Sequence, residues 1–175
     1  LFIRETTAVN NHTYRFAQKA ESEGIPAIDD TQSILRCCNK VYLQELLQER
    51  KIKTPKGYFI YSKQKKLEIP EPDQFPLVVK VPDGSFSKGV FKVNDAAEYQ
   101  LRVEELFKKT ELVLVQEFLA SDYDWRVTIL GGKPLFACKY YMVKGHWQIY
   151  SHAESSLKSG GFECVPIYAV PPKVL

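Results

Sequence analysis

Phe75-Pro76-Leu77-Val78-Val79-Lys80-Val81-Pro82-Asp83-Gly84-Ser85-Phe86-Ser87-Lys88-Gly89-Val90-Phe91-Lys92-Val93 is the stretch whose reading decides the fold. An apolar run from Pro76 to Val79 ends on a lysine, the pattern of a short buried strand. A small, polar, glycine-containing loop follows, and Phe91-Lys92-Val93 reads as a second strand. Small loop residues let backbone N–H groups approach an anion closely, and a lysine adds a point charge. Those are the physical requirements for holding a polyphosphate. The same text also suits an ordinary hairpin loop with a lysine whose stem lies along apolar surface. Two familiar phosphate loops are excluded. Gly84 and Gly89 have P-loop spacing, but Val90-Phe91 stands where Lys-Ser/Thr is needed, and a strand follows rather than a helix. A protein-kinase loop places its lysine on a later strand, and no H-R-D or D-F-G is present.

Outward from this stretch the order is mixed α+β, with helices crossing an antiparallel sheet. On the N-terminal side, residues 10–24 read as a helix with Tyr14, Phe16, Ala17 and Ala20 at helical spacing and Gly24 as the stop. Asp29-Asp30-Thr31 can cap a following turn. A helix over 39–50 carries Asn39 as its N-cap and Leu43, Leu46 and Leu47 as its apolar stripe; Pro55 stops it from continuing. Residues 57–61 read as an aromatic strand, and 62–75 as a polar surface loop. On the C-terminal side, Asp95-Ala96-Ala97-Glu98 is a capping box opening a helix to about Lys109, with Tyr99, Val103, Leu106 and Phe107 on its apolar face. Leu112 to Phe118 is a buried strand that turns polar at its end. Residues 126–130 and 133–141 form a hairpin about Gly131-Gly132. Gly145 to Tyr150 reads as a further strand, and Gly160-Gly161 as a turn or close approach.

Composition narrows the function. A net charge of +3, with Lys and Arg spread among acids, lacks the dense basic stripe of a nucleic-acid binder. No apolar run approaches the roughly 20 residues a bilayer needs, and Arg4-Glu5 interrupts any signal-peptide core. Cys37, Cys38, Cys138 and Cys164 have no CxxC spacing, and read as buried or free thiols in a reducing compartment. His12, His146 and His152 have no HExxH spacing.

Three further features carry possible chemistry. Gln116-Glu117 ends an apolar strand, and Asp124 and Arg126 share a face by the two-residue period. A carboxylate there can accept from ribose hydroxyls, and an arginine can clamp a phosphate or carboxylate; a salt-bridged strand start explains the pair equally well. Lys40 opens its helix, where a solvated lysine is the ordinary expectation. Lys139 lies in an aromatic run and either snorkels or faces a cleft.

Taken in order, these elements resemble the ATP-grasp superfamily, and within it the RimK-like branch of ribosomal-protein glutamate ligase and glutathione-synthetase-like enzymes. The matching text is Cys38-Asn39-Lys40 with Leu43 and Leu46, Ile52 to Pro55, Phe75 to Lys80, Asp83-Gly84-Ser85 to Gly89-Val90, Leu114 to Leu119, Asp124 to Val127, and Gly160-Gly161. The resemblance implies ATP-dependent joining of a carboxylate to an amine through an acyl-phosphate. It implies that Lys40 and Lys80 reach ATP phosphates under a lid formed by Asp83, Gly84, Ser85, Lys88 and Gly89. Gln116, Glu117, Phe118 and Leu119 then form the adenine hinge, Asp124 holds the ribose, and Arg126 faces the reaction centre.

The sequence departs from the family before Gly160-Gly161, where an Arg and Asn are usual and Glu154-Ser155-Ser156-Leu157-Lys158 stands instead. Lys139, His152 or Lys158 is left to supply the cationic role, so Lys139 joins Arg126 as a catalytic candidate and His152 is a substrate candidate. Lys139, Tyr141, His146, Trp147, Tyr150 and His152 are candidates for facing an anionic or polar acceptor. Magnesium is implied by the family, whose Asp, Glu and Asn ligands are expected downstream of this chain; after Gly161 the only acid is Glu163. The expected organisation is the end of a preceding domain over 1–35, a first ATP-grasp lobe over 36–115, and the beginning of a second over 116–175. The expected setting is a cytoplasmic ligase using ATP and small-molecule or peptide substrates, with no nucleic-acid or membrane partner. Competing readings are a non-catalytic nucleotide-binding or interaction domain of the same fold, or a mixed α+β module with no nucleotide.

Overall fold

In the computed structural model, which describes residues 1–84, 88–151 and 158–175, the chain forms two units, Leu1–Phe118 and Leu119–Leu175. The first begins with three helices: α1 (His12–Ser22), α2 (Thr31–Cys38) and α3 (Lys40–Glu49). Each is started by a side chain that accepts from a backbone N–H the helix leaves unpaired: Asn11 from Thr13, Asp30 from Ser33, and Asn39 from Val41 and Tyr42. The Ser33 hydroxyl and backbone together hold the Asp30 carboxyl below its ordinary range. The Glu21 carboxylate accepts from both the N–H and the hydroxyl of Thr31, tying α1 to α2. In α1 the buried stripe is Thr13, Ala17 and Ala20, whereas Phe16 is exposed, contrary to the apolar face expected of it. Of the short helix α2, only the Asp30 cap is legible in the sequence.

The strands β1 (Gly57–Tyr61), β2 (Leu77–Lys80), β3 (Val90–Val93) and β4 (Leu112–Glu117) form an antiparallel sheet in the order β1-β4-β2-β3, with α4 (Ala96–Phe107) between β3 and β4 in sequence. Opposed residues share a face. Leu77, Val79, Val93, Val113, Val115 and Ile60 therefore lie on one side, where they pack with Tyr99, Val103 and Leu106 of α4. Val78, Lys80, Val90, Lys92, Leu114 and Gln116 lie on the other. The α4 cap is shifted from the expected box. Asp95 accepts from the Glu98 N–H at 2.8 Å, but the Glu98 carboxylate accepts from Asn94 rather than from Asp95.

In the second unit, β5 (Tyr123–Leu130) and β6 (Lys133–Tyr141) form the expected hairpin. Gly131 and Gly132 adopt φ of 57° and 74°, the left-handed pair that a two-residue turn requires. The expected strand over 145–150 is a turn instead. The His146 N–H returns to the Val143 carbonyl at 2.8 Å and the Val143 N–H to Gln148, so these groups have left the extended conformation. Only Tyr150–Ser151 (β7) pairs, with Lys158–Ser159 (β8). The last strand, β9 (Phe162–Val165), joins β6 to complete a three-stranded sheet, order β5-β6-β9.

Gly160-Gly161 enters β9 by a close approach. A Cβ on Gly160 would lie 2.0 Å from the Tyr141 carbonyl oxygen and 2.5 Å from that of Met142. Gly160→Ala is therefore expected to lower stability by about 1–3 kcal/mol, the usual range for overpacking, in urea unfolding followed by tryptophan fluorescence. An unchanged midpoint would contradict the close approach.

Candidate functional site

The first unit gathers most of the sequence-selected residues around β2. Lys80 ends β2 on the face away from α4, and Lys40 opens α3. The Lys40 ammonium donates to the carbonyls of Pro82, at 3.0 Å, and Gly84, while the Lys40 N–H also reaches Pro82. Asn39 completes the tie. Its side-chain oxygen caps α3 and its amide donates to Asp83 at 2.8 Å. The start of the loop is thus docked on the N-terminal end of α3.

The glycines of this loop have separate structural reasons. A Cβ on Gly84 would meet the Lys88 carbonyl oxygen and a Val81 methyl, both at 2.7 Å. Gly89 adopts φ +67°, and its carbonyl accepts from the Val81 N–H. A cavity of about 460 Å³ on the Val81 side includes Asp83, Gly84, Lys88 and Gly89 together with Leu106 and Lys109 of the α4 end. Ser85 lies outside the described residues.

Burial disfavours the charged form of Lys80, and the Lys40 ammonium nearby adds to this, so Lys80 titrates below the ordinary lysine range. Lys40 is lowered as well, chiefly by burial and against the opposing pull of the Asp83 carboxylate and the Cys38 thiol. Burial lowers both half-buried ammonium groups, and Lys40 adds to the cost at Lys80, so the pair forms a site that an anion would relieve.

At the end of β4 the ladder is altered in a way that changes which groups are exposed to a ligand. The Glu117 N–H donates to the Lys56 carbonyl at 2.9 Å. In a regular antiparallel pair the Lys56 N–H would return to the Glu117 carbonyl. It donates instead to Glu117 Oε1 at 2.8 Å, so the carboxylate stands in for the carbonyl. On the other side, the Phe118 N–H donates to Pro76, which has no N–H to return. The Lys92 ammonium sits 4.1 Å above the Phe118 ring. Gln116 is buried and packs over Gly57, where a Cβ would come within 2.6 Å of the Gln116 side chain. Lys56, Gly57 and Lys92 are not among the sequence candidates for the site, and Asn39 enters there only as a helix cap and within the Cys38-Asn39-Lys40 match.

The second unit separates two residues that the sequence grouped. Asp124 and Arg126 share a face of the β5-β6-β9 sheet with Cys138, Tyr140, Phe162 and Cys164. The Arg126 guanidinium lies 4.3 Å over the Tyr140 ring, which stacks on Phe162. Asp124 accepts from the Ser121 hydroxyl at 3.5 Å. Lys139 follows Cys138, the partner of Arg126, and so points to the opposite face. There it lies 4.0 Å from Glu163 and over the rings of Tyr123 and Trp125. The Tyr141 hydroxyl donates to the same Glu163 at 2.7 Å, and this bond raises the Tyr141 hydroxyl above its ordinary range. Leu119 begins this unit and is exposed. Tyr150 is half-buried in β7, Trp147 lies in the 145–149 turn, and His152 lies outside the described residues.

The profile of the family described as "D-ala D-ala ligase C-terminus" matches residues 49–166. The chain belongs to this family. Its fold is the ATP-grasp fold of D-alanine–D-alanine ligase structures. The alpha-aminoadipate–LysW ligase LysX of Sulfolobus acidocaldarius is 32% identical over 111 residues, covering 59% of this chain and 40% of that relative. A protein named "Probable alpha-L-glutamate ligase" from Maridesulfovibrio salexigens is 29% identical over 145 residues, covering 81% and 46%. The crystal structure of a D-alanine–D-alanine ligase from Bacillus anthracis complexed with ATP superposes with a TM-score of 0.60 at 24% identity, over 87% of this chain and 47% of that one. The chain thus spans less than half the length of each of these three proteins.

Among the described residues of this family member, no three His, Cys, Asp or Glu side chains gather into a metal-holding group. By themselves they assemble no protein-only magnesium cage. None of the helices among these residues is long and apolar enough to cross a membrane.

The burial cost of the Lys80 ammonium makes stability depend on pH. Lys80 is protonated more readily in the unfolded chain than in the fold. Its cost is present at neutral pH and is relieved as pH rises through the lowered value towards the ordinary lysine range. Lys80→Met is expected to raise the urea midpoint at neutral pH and to narrow that gain in alkaline buffer. A midpoint equal to that of the parent chain at both pH values would show that the ammonium carries no burial cost.

Proposed function

We propose that the chain is the nucleotide-holding part of an ATP-dependent ligase that joins a carboxylate to an amine through an acyl-phosphate, in the manner of RimK-like amino-acid or peptide ligases. The observation that carries the reading is the pairing of Lys40 with Lys80 beside the docked loop. The named activities of LysX, the glutamate ligase and D-alanine–D-alanine ligase support the reaction class, and the ATP complex of a fold neighbour supports the nucleotide.

In this reading Lys40 and Lys80 take the phosphates, offsetting negative charge on the group being transferred. The segment containing Asp83, Gly84, Ser85, Lys88 and Gly89 covers them and excludes water that would destroy an acyl-phosphate. Gln116, Glu117, Phe118 and Leu119 border the adenine, with the Glu117 carbonyl set apart from Lys56 as an acceptor for an exocyclic amine. Asp124 takes the ribose, and Arg126 faces the reacting groups. Lys139, the second catalytic candidate, lies beside Glu163 on the sheet face opposite Arg126. His152 remains a substrate candidate. Residues 36–115 carry the first ATP-grasp lobe and 116–175 the beginning of the second, after the end of a preceding domain over 1–35; magnesium, for which the described residues assemble no protein-only site, is implied by the family alone, and the setting is cytoplasmic.

Calorimetric titration with ATP tests the reading. Lys80→Ala is expected to weaken binding at least about tenfold, the equivalent of one charge-assisted contact. Unchanged affinity would remove Lys80 from the site. ADP release in the presence of amino-acid pairs separates a ligase from a non-catalytic nucleotide-binding domain of the same fold.

The altered ladder gives a second prediction. Glu117→Ala returns the Lys56 N–H to the backbone carbonyl and is expected to reduce the preference for ATP over GTP about tenfold, whereas Glu117→Gln keeps a side-chain acceptor and the preference. Equal ATP/GTP ratios in all three proteins would detach the carboxylate from base selection.

A further inference from the structure

Cys138 on β6 and Cys164 on β9 are directly opposed, and their sulfurs lie 3.4 Å apart. The register explains why. The Tyr141 N–H donates to Gly161, so residues 141 and 161 form a hydrogen-bonded pair. Alternation along an antiparallel ladder then makes 139/163 and 137/165 bonded pairs and leaves 138/164 unbonded. Unbonded pairs bring Cα atoms to about 4.5 Å, inside the span a disulfide bridges. Both side chains point to the same face of the sheet. The two thiols differ in access: Cys164 is exposed, whereas Cys138 is 3% exposed.

We propose that Cys138 and Cys164 form a two-thiol modification site that exchanges with small-molecule disulfides to give a cross-strand disulfide beside Arg126. Of these two thiols, only Cys164 is open to a reagent in solution. Its thiolate attacks one sulfur of a disulfide such as glutathione disulfide, forming a mixed disulfide and expelling one glutathione thiolate. Cys138 gives up its proton to solvent and attacks the Cys164 sulfur. The mixed disulfide breaks, the second glutathione thiolate leaves, and the Cys138–Cys164 bond forms. Two protein thiols are oxidised and one small disulfide is reduced to two thiols. Excess glutathione reverses the sequence.

Two features of the surroundings fit these roles. Burial and the neighbouring Cys164 raise the Cys138 thiol, which keeps it inert towards reagents in solution, while the Arg126 guanidinium pulls the other way and favours its thiolate. Arg126, Cys138 and Cys164 form one row across three strands, and the new bond joins the same two strands, β6 and β9, whose Tyr140 and Phe162 stack beneath Arg126, which lies over Tyr140. The site stands on the sheet register alone and is independent of the proposed ligase activity.

The folded chain equilibrated in glutathione/glutathione-disulfide buffers, alkylated and mapped by mass spectrometry provides the test. Free thiols are expected to fall by two from the four of the sequence, with a peptide linking Cys138 to Cys164 that glutathione reverses. Cys138→Ser is expected to stop at a persistent glutathione adduct on Cys164. Cys164→Ser, a change at an exposed position, is expected to leave Cys138 unmodified. A persistent adduct on Cys164 in the unsubstituted chain would overturn the proposal, as would a bond from Cys37 or Cys38, or the absence of any reaction.

Discussion

Half-burial of Lys80 on the sheet face opposite α4 is the constraint on which the first unit turns. Strand alternation sends Leu77 and Val79 into the core with Tyr99, Val103 and Leu106, and so sends Val78 and Lys80 the other way. An ammonium in that position is costly, and the fold adds to the cost by placing Lys40 near it. Lys40 is held there by the carbonyls of Pro82 and Gly84, and Asn39 by Asp83. A fold selected for stability alone would place an apolar residue at position 80. Charge retained against its own burial is what a binding site for a polyanion requires before the anion arrives.

The same logic of alternation governs the other sites. At the end of β4, the Glu117 carboxylate takes the N–H that its own carbonyl would have used, so a side chain determines which backbone groups the sheet end offers. In the second unit, alternation divides Arg126 from Lys139. Arg126 lies over Tyr140 on the face that carries Asp124, while Lys139 lies among Tyr123, Trp125 and Glu163 on the other. Neighbours in the hairpin ladder are therefore not neighbours in chemistry. The thiols of Cys138 and Cys164 belong to the Arg126 face for the same reason.

Much of this was legible in the sequence because its signals are local. Runs of Val and Leu bounded by Pro, Gly or charge gave β2 and β4, and Gly131-Gly132 gave the hairpin. Asn39 and Asp95 marked their helices. The Lys80 loop announced itself by residue type within eleven positions. What escaped was either short or non-local. The helix α2 has eight residues and β9 four, too few to show a period against the background. Gly145 to Tyr150 has the residues of a strand, but a turn takes its backbone bonds. The Asn39–Asp83 and Lys56–Glu117 contacts join residues 44 and 61 positions apart, and no local pattern encodes them. The placement of Arg126 and Lys139 on opposite faces is likewise invisible without the register, since one residue reverses a face.

The central claim is that Lys40 and Lys80 are a strained cationic pair awaiting an anion. It is tested most directly by titrating their side chains by NMR in chain carrying isotope-labelled lysine, assigned with Lys40→Arg and Lys80→Met, with and without ATP. The account predicts that both titrate below the other lysines in the free chain and move upward when ATP is added. Titration with the remaining lysines in the free chain, or no response to ATP, would contradict it.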